Sequence, residues 1–128
     1  MTRSSKLVAI KERRILLVRR IIDGLWMFPG GRRRRDRKES AQDCLERELE
    51  EELPKLRIGR TKLWRKIKTV NPFSGRKMSD AVFVTTSVKG TAAIGAPEEI
   101  DRAEWRNPWR TRLTPTSRFI RDKLFRRN

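Results

Sequence analysis

The chain has 128 residues, and 33 lysines and arginines against 16 aspartates and glutamates give it a formal net charge of +17. It contains one cysteine and no histidine, which excludes an internal disulfide, a cysteine-rich metal cluster, and histidine-based catalysis or zinc ligation. The charge predicts attraction to phosphates and other polyanions. The length favours a single domain spanning residues 1–128.

The apolar runs of this sequence are short. None approaches the length of a transmembrane helix, and the opening residues, MTRSSKLVAIKERR, lack the apolar stretch of a signal peptide. We therefore expect a cytoplasmic protein with no membrane partner.

The first third of the chain reads as strands and turns. Residues 6–20 predict a hairpin, because two apolar runs flank the polar turn KERR. The segment LWMF predicts a short strand that stops at Pro29 and the two glycines after it. A basic loop, RRRRDRK, follows at residues 32–38.

Residues 40–53 give the strongest helix signal. Ser40 is a good N-cap, with Asp43 three residues later. Pro54 ends the pattern, because proline cannot continue the helical hydrogen bonds and disfavours helix at the residue before it.

The remaining elements complete the order β-β-β-α-β-β-β-α. Strands are predicted over 56–70, 78–90 and 100–105, and an amphipathic helix over 114–127 with Thr114 as its cap and Pro115 at its first position. Strands and helices do not alternate regularly, so a doubly wound parallel sheet is not expected. The order favours an α/β protein of the α+β type, with a mixed, partly antiparallel sheet packed between helices.

The helix over 40–53 lies in an acidic block. Residues 39–54 hold seven acids and one base, a net charge of −6 within a basic chain. On a helical projection, Asp43, Glu46 and Glu50 lie opposite the apolar face, where solvent is expected. Glu48 and Glu52 project within the apolar arc, with Glu51 at its edge. Cys44 lies on the apolar face and reads as core.

Glu48, Glu51 and Glu52 stand at positions i, i+3 and i+4 of this helix. Like charges at that spacing destabilise a helix, and carboxylates that are partly buried cost more unless they are paired or bind a metal. Hard cations such as Mg²⁺ prefer oxygen ligands. The spacing indicates a three-carboxylate metal site, and the simpler alternative is a solvated, charged helix face.

With these residues in view, the segment resembles the Nudix box, G-x5-E-x7-R-E-U-x-E-E-x-G-U, where U is aliphatic. Glu39 is followed by seven residues and then by Arg47-Glu48-Leu49-Glu50-Glu51-Glu52, and FPGG (residues 28–31) precedes it. Two departures stand out. Seven residues separate Gly31 from Glu39 where the pattern has five, and Pro54 replaces the box glycine. Neither departure removes a carboxylate.

The resemblance implies a Nudix-like α/β/α sandwich and a set of residue roles. Glu48, Glu51 and Glu52 would ligate Mg²⁺ or Mn²⁺, together with the backbone carbonyl of Gly30. Glu39 and Arg47 would form a salt bridge that supports the site. Either Glu98 or Glu99, in the loop before the last strand, is a candidate for a further ligand or base.

The reaction that the resemblance implies is hydrolysis of a phosphoanhydride in a nucleoside diphosphate linked to another group. Divalent ions would offset the repulsion between carboxylates and pyrophosphate and would lower the pKa of bound water. Without histidine, the catalytic base must be a glutamate or a metal hydroxide, and Glu48 and Glu52 are favoured over Glu51. The substrate would be a phosphorylated small molecule, such as a nucleoside triphosphate, a dinucleotide polyphosphate or a nucleotide sugar.

Three further residues are candidates for substrate contacts. Arg20 resembles an arginine that contacts substrate phosphate in some Nudix enzymes, and an exposed arginine at a strand end is the equal alternative. Trp26 and Phe28 could line a base-stacking pocket, although core packing is the favoured interpretation.

Two other functions remain open. The net charge and the basic loop also fit a nucleic-acid-binding protein, or an enzyme that processes RNA 5′ ends. A Nudix fold without catalysis is disfavoured, because all three box carboxylates are present. The sequence leaves a monomer and a homodimer equally open.

Overall fold

A computed structural model describes residues 1–34, 36, 38–71 and 74–125. The helices are α1 (Ala41–Glu52) and α2 (Pro115–Leu124), with a short 3₁₀ turn at Pro108–Arg110. The strands are β1 (Thr2–Lys11), β2 (Arg14–Arg20), β3 (Trp26–Met27), β4 (Gly30–Arg32), β5 (Leu56–Ile58), β6 (Lys62–Val70), β7 (Lys77–Thr85), β8 (Val88–Gly90) and β9 (Ile100–Arg106).

Three predicted segments fall partly outside the described residues. These are the basic loop at Arg35 and Arg37, the turn before β7 at Pro72 and Phe73, and the predicted C-terminal helix beyond residue 125.

The first two strands form the predicted hairpin. Lys11 pairs with Arg14, so Glu12 and Arg13 alone make the turn, and both have positive φ, 51° and 66°. Two left-handed residues give a turn whose twist matches that of the flanking strands. The KERR turn is thus confirmed.

The sheet is mixed, as predicted. β1 runs parallel to β7 from Thr2↔Met78 to Ala9↔Thr85, while the other pairings of this sheet are antiparallel. Its strand order is β3-β2-β1-β7-β6, with β9 beside β2 and β4 beside the first half of β1. β1 holds the central position of this sheet, because it pairs with β2, β4 and β7.

Two predicted strands are each divided in the structure. The prediction for 56–70 becomes β5 and β6, and that for 78–90 becomes β7 and β8, with β5 and β8 forming a separate two-stranded sheet. Gly59 lies at the first break, where its N–H donates to the Ser87 carbonyl at 2.8 Å and a Cβ would lie 2.3 Å from Ser87 Oγ. The prediction of continuous strands was wrong, because the contact between Gly59 and Ser87 joins residues far apart in the sequence and leaves no periodic signal.

β4 was missed, since two glycines and a basic run read as a loop. Gly30 pairs with Lys6 and Gly31 with Ser5 of β1. Gly30 has φ +142°, and a Cβ there would lie 2.0 Å from the Ser5 carbonyl oxygen. The glycine therefore permits an approach to β1 that no other residue allows.

Helices cover both faces of the sheet, which confirms the sandwich architecture. α1 packs Leu45, Leu49 and Leu53 onto one face. On the other face Ile120 of α2 packs with Phe28 and Leu17. Among the described residues, neither helix has the length and apolar character needed to span a bilayer.

Candidate active site

α1 begins and ends as its sequence predicts. Ser40 Oγ accepts a hydrogen bond from the Asp43 N–H at 3.0 Å. The Leu53 N–H donates to the Leu49 carbonyl at 2.8 Å, which closes the last turn before Pro54. The side of α1 that carries Asp43, Glu46 and Glu50 is exposed, as predicted.

Glu52 is the most deeply buried carboxylate of the predicted site. It is 2% exposed, its Oε1 lies 3.5 Å from the Gly30 amide nitrogen, and its Oε2 is buried with no hydrogen-bond partner among the described residues. Burial raises the pKa of Glu52 to about 8, although the positive charge of Lys6 opposes the shift. The burial of this carboxyl group beside β4 is therefore energetically unfavourable.

Glu48 lies one helical turn before Glu52 and packs against Gly31. A Cβ at Gly31 would lie 2.3 Å from the carboxyl carbon of Glu48, so only glycine leaves room for this side chain. Burial raises the pKa of Glu48, and the hydrogen bond from Arg47, at 3.0 Å, acts in the opposite direction. The negative charge of Glu48 also contributes to raising the pKa of Glu52.

The predicted pair between Glu39 and Arg47 is present. Arg47 Nε lies 2.7 Å from one carboxylate oxygen of Glu39 and its terminal nitrogen 3.0 Å from the other, a bidentate arrangement. Another hydrogen bond, 3.0 Å long, runs from Arg47 to the Arg32 carbonyl, so one guanidinium joins α1 to the end of β4. Arg47 lowers the pKa of Glu39 to about 2.

Glu51 does not join the other two carboxylates. Its side chain is 48% exposed and lies 3.5 Å from both Arg47 and Arg34. Among the described residues no three acidic, cysteine or histidine side chains are close enough to form a complete metal-ligand set. Glu48 and Glu52 lie on the inner side, and arginines hold Glu51 outside, so the three-carboxylate ligand set stays a prediction.

Of the two glutamates before β9, the structure favours Glu99. The negative charge of Glu99 is among the causes that raise the pKa of both Glu48 and Glu52, and Glu98 is not among the causes resolved for either group. The loop that carries it returns to α1, because the Gly95 N–H donates to the Glu52 carbonyl at 2.8 Å. Sequence position alone could not separate the two residues.

The guanidinium of Arg20 is paired with a residue nearby in the sequence. It forms a bidentate ion pair with Asp23, three residues further along the β2–β3 turn. The Ile21 N–H donates to the Glu99 carbonyl at 3.1 Å, so this turn borders the loop of Glu99. This pair uses Nε and one terminal nitrogen of Arg20, and the phosphate-contacting role of its guanidinium stays a prediction.

Trp26 and Phe28 are both core residues. Phe28 is fully buried and has no face to offer a base, so the stacking role proposed for it needs correction. Trp26 is 6% exposed, and the Arg106 guanidinium lies 4.4 Å from its ring centroid. The favoured interpretation, core packing, describes both residues, and β3 itself lies between β2 and the segment 112–114 that precedes α2.

Lys6 is a residue of the site that sequence analysis missed. It is the one cation whose charge lowers the pKa of Glu52 among the causes resolved for that group. Lys6 reaches Glu52 because its strand pairs with Gly30, and that pairing has no local sequence signal.

The carboxylates of Glu48 and Glu52 have the donor chemistry that suits a divalent cation. The donor set is made of carboxylate oxygens, which hard cations prefer, and one of these oxygens, Oε2 of Glu52, is buried without a partner. Chemically, an acid held protonated near neutral pH can also exchange a proton with water or substrate.

Comparisons with known proteins agree with this fold. A family model described as NUDIX domain matches residues 2–127. A MutT NUDIX hydrolase from Burkholderia pseudomallei superposes with a TM-score of 0.80 at 22% identity, covering 92% of this chain and 93% of that one. A MutT protein from Bacillus halodurans gives 0.79 at 19% identity, with 99% and 84% covered. The comparison with curated proteins finds no significant match.

Proposed function

Since the chain belongs to the NUDIX domain family and is a Nudix-type hydrolase, we propose that it cleaves a phosphoanhydride bond with the help of Mg²⁺ or Mn²⁺. The substrate is a nucleoside diphosphate linked to another group, such as a nucleoside triphosphate, a dinucleotide polyphosphate or a nucleotide sugar.

The observation that carries this proposal is the environment of Glu52. A carboxylate that is 2% exposed and leaves one oxygen without a partner destabilises the fold. Neighbouring carboxylates at Glu48 and Glu99 add to that cost, because they also raise its pKa. Such a cluster has no structural benefit, and a function that requires it explains its presence.

Glu48 and Glu52 would hold the cation, together with the backbone carbonyl of Gly30. Glu51 would join them if its side chain left Arg34 and Arg47, and Glu99 is the candidate for an additional ligand. A bound divalent ion supplies neutralisation of the pyrophosphate charge and a water of lowered pKa.

The chain's own residues hold the catalytic carboxylates in place and accept the proton of the attacking water. Glu52 or Glu48, in its ionised form, would take the proton of the attacking water, since no histidine is available. Arg47 fixes Glu48 through a hydrogen bond of 3.0 Å and is itself oriented by Glu39. Lys6 lies close enough to Glu52 to stabilise its ionised form.

The test is a hydrolysis screen with purified protein, Mg²⁺ or Mn²⁺, and four substrate classes: nucleoside triphosphates, dinucleotide polyphosphates, nucleotide sugars and capped RNA. The variant is Glu52→Gln. The matched control is Glu50→Gln, since Glu50 is an exposed glutamate of the same helix. We expect turnover of at least one class by the wild type and by Glu50→Gln, and turnover lower by about 10²–10⁴-fold by Glu52→Gln.

Binding of Mn²⁺ gives a second readout that does not depend on the choice of substrate. Thermal stability should rise with Mn²⁺ in the wild type and in Glu50→Gln, because a ligand that binds the folded state alone stabilises it. An equal rise in Glu52→Gln, or full activity of that variant, would sink the proposed site.

A further inference from the structure

The surface beside the candidate active site carries a basic cleft. One cavity of about 530 Å³ is lined by Arg3, Arg32, Arg33, Arg34, Lys38 and Arg76, together with Met1, Thr2 and Glu39. A second, of about 270 Å³, adjoins it through Met1, Arg3 and Arg33 and adds Lys66 and Lys68 from β6. We name the two together the basic cleft.

The cations of the basic cleft are poorly neutralised. Within the described residues, the ion pair from Arg34 to Glu51, at 3.5 Å, is the single one that any of these side chains forms. The acid in the lining, Glu39, is already engaged by Arg47 at 2.7 Å. Arginines on β2 and β9, by contrast, have carboxylate partners in Asp101 and Glu104.

Arg33 supplies a second and independent observation. It lines both cavities, and its Nε is buried with no hydrogen-bond partner among the described residues. A buried donor left without an acceptor is destabilising, and a small shift of the Arg33 side chain toward an anionic oxygen in the cleft would remove that cost. The cleft therefore has both the charge and an unpaired donor suited to phosphate.

From this geometry we propose that the basic cleft binds the phosphate backbone of single-stranded nucleic acid. No aromatic side chain lines either cavity in the described part of the chain, so there is no platform on which bases could stack. The contacts are to phosphates and carry no sequence information.

The spacing of the cations separates nucleic acid from inorganic polyphosphate. Lys66 and Lys68 are two residues apart on β6, so they extend from the same side of the strand about 6.8 Å apart. In polyphosphate a single oxygen joins neighbouring phosphorus atoms, whereas in nucleic acid a sugar and its ester links separate them. The wider repeat matches the strand spacing.

The shape of the site favours a single strand over a duplex. The cleft is concave, with Ser4, Ser79 and Ala81 of β1 and β7 in the lining of the smaller cavity. The phosphates of a duplex lie on the outside of a stiff rod and could touch its rim alone. A flexible strand can lie along the cleft and approach Glu39, Arg34 and the acidic helix α1.

Another cavity shows that charge alone does not make such a site. The cavity of about 440 Å³ at the β1–β2 turn is lined by four arginines but also by Glu12 and Glu104. Arg106 pairs with Glu104 there at 2.9 Å. Its mixed charges would repel parts of a phosphate chain, and we assign it no ligand.

The test measures binding of a fluorescein-labelled oligouridylate to the full chain by fluorescence anisotropy, at several salt concentrations. The cleft variant is Lys66→Gln/Lys68→Gln, because both lysines are exposed and their loss should leave the fold intact. The matched control is Arg57→Gln/Lys89→Gln, which removes the same charge from an exposed cross-strand pair of β5 and β8.

We expect the cleft variant to bind about tenfold more weakly and the control to change less than twofold. The slope of log K against log salt should fall by about 1.4 in the cleft variant, since single strands release about 0.7 counterion for each phosphate contact. Oligothymidylate should bind as oligouridylate does, because phosphate contacts read no base or sugar.

Three results would overturn the proposal: no binding at low salt, equal weakening in the cleft variant and the control, or tighter binding of a duplex or of inorganic polyphosphate than of the single strand. Because the readout is binding without metal or turnover, a failure here leaves the proposed hydrolase function intact, and the reverse also holds.

Discussion

Glu39 and Glu52 are two glutamates of the same acidic block, both withdrawn from solvent, and the fold treats them in opposite ways. Glu39 accepts two hydrogen bonds from Arg47, which lower its pKa to about 2. Glu52 lies 3.5 Å from the Gly30 amide and pairs with no arginine of the described residues, and burial raises its pKa to about 8.

This difference distinguishes buried acids with a structural role from buried acids with a functional role. A carboxylate with a bidentate arginine partner contributes to the fold and keeps its charge. A carboxylate without one destabilises the fold in its charged form, and natural proteins retain such groups at functional sites. The same residue type thus joins a loop to a helix at one position and prepares a reactive site at another.

The largest expected contrast is in activity. Glu52→Gln should lower kcat/KM by about 10²–10⁴-fold, the range for loss of a group that transfers a proton, whereas Glu39→Gln should lower it by about tenfold. The measurement is steady-state hydrolysis of the substrate that the screen identifies. Equal losses in the two variants would remove the distinction between them.

Loss of the ion pair between Arg47 and Glu39 should have the largest effect on the free energy of unfolding. Arg47→Met should lower the free energy of unfolding by about 3 kcal/mol, because Glu39 and Glu48 both lose their main cationic partner inside the protein. Urea denaturation measures this effect. The control is Arg118→Met, an exposed arginine of α2, which should change stability by less than about 0.5 kcal/mol. A loss no larger than the control's would show that Arg47 is dispensable.

The two glutamates should also give opposite pH dependences of stability in metal-free protein. The folded-state pKa of Glu52, about 8, lies above the ordinary 4.5, so its contribution is full below 4.5 and is lost as pH rises towards 8. The folded-state pKa of Glu39, about 2, lies below 4.5, so its contribution is present above 4.5 and is lost as pH falls towards 2.

Urea denaturation in the presence of a chelator, between pH 3 and pH 9, measures both effects. From pH 5 to pH 8 the wild type should lose about 3.5 kcal/mol that Glu52→Gln retains. Below pH 4.5, Glu39→Gln should show a smaller acid-induced loss than the wild type. Identical profiles for the wild type and Glu52→Gln above pH 5 would contradict the assignment of the raised pKa to Glu52.

The smallest expected effect concerns Glu48. Burial raises the pKa of this residue as it does for Glu52, and Glu48 accepts a hydrogen bond from Arg47 as Glu39 does. Gly31→Ala places a methyl group where the carboxylate of Glu48 lies, and that carboxylate is the end of a flexible side chain that can move. We expect Mn²⁺ affinity to fall about tenfold, with a change in unfolding free energy below about 1 kcal/mol. Calorimetric titration of Mn²⁺ measures it, and unchanged affinity would exclude Glu48 as a ligand.

The sequence alone determined the local features of this protein. The extent of α1, its Ser40 cap and its stop before Pro54 follow from hydrogen bonds between residues near in the chain. The outward direction of Asp43, Glu46 and Glu50 follows from helical periodicity. The spacing of the box residues was also sufficient to indicate the family, because it is a property of the chain itself.

Tertiary structure alone decided how these features meet. The pairing of Gly30 with Lys6, the breaks at Gly59 and Ser87, and the approach of Glu99 to α1 all join segments far apart in the sequence. Such contacts depend on how strands align in three dimensions, and no local pattern encodes them. For the same reason the sequence grouped three carboxylates by their spacing, whereas arginines from α1 and from the loop after β4 hold Glu51 apart from the other two.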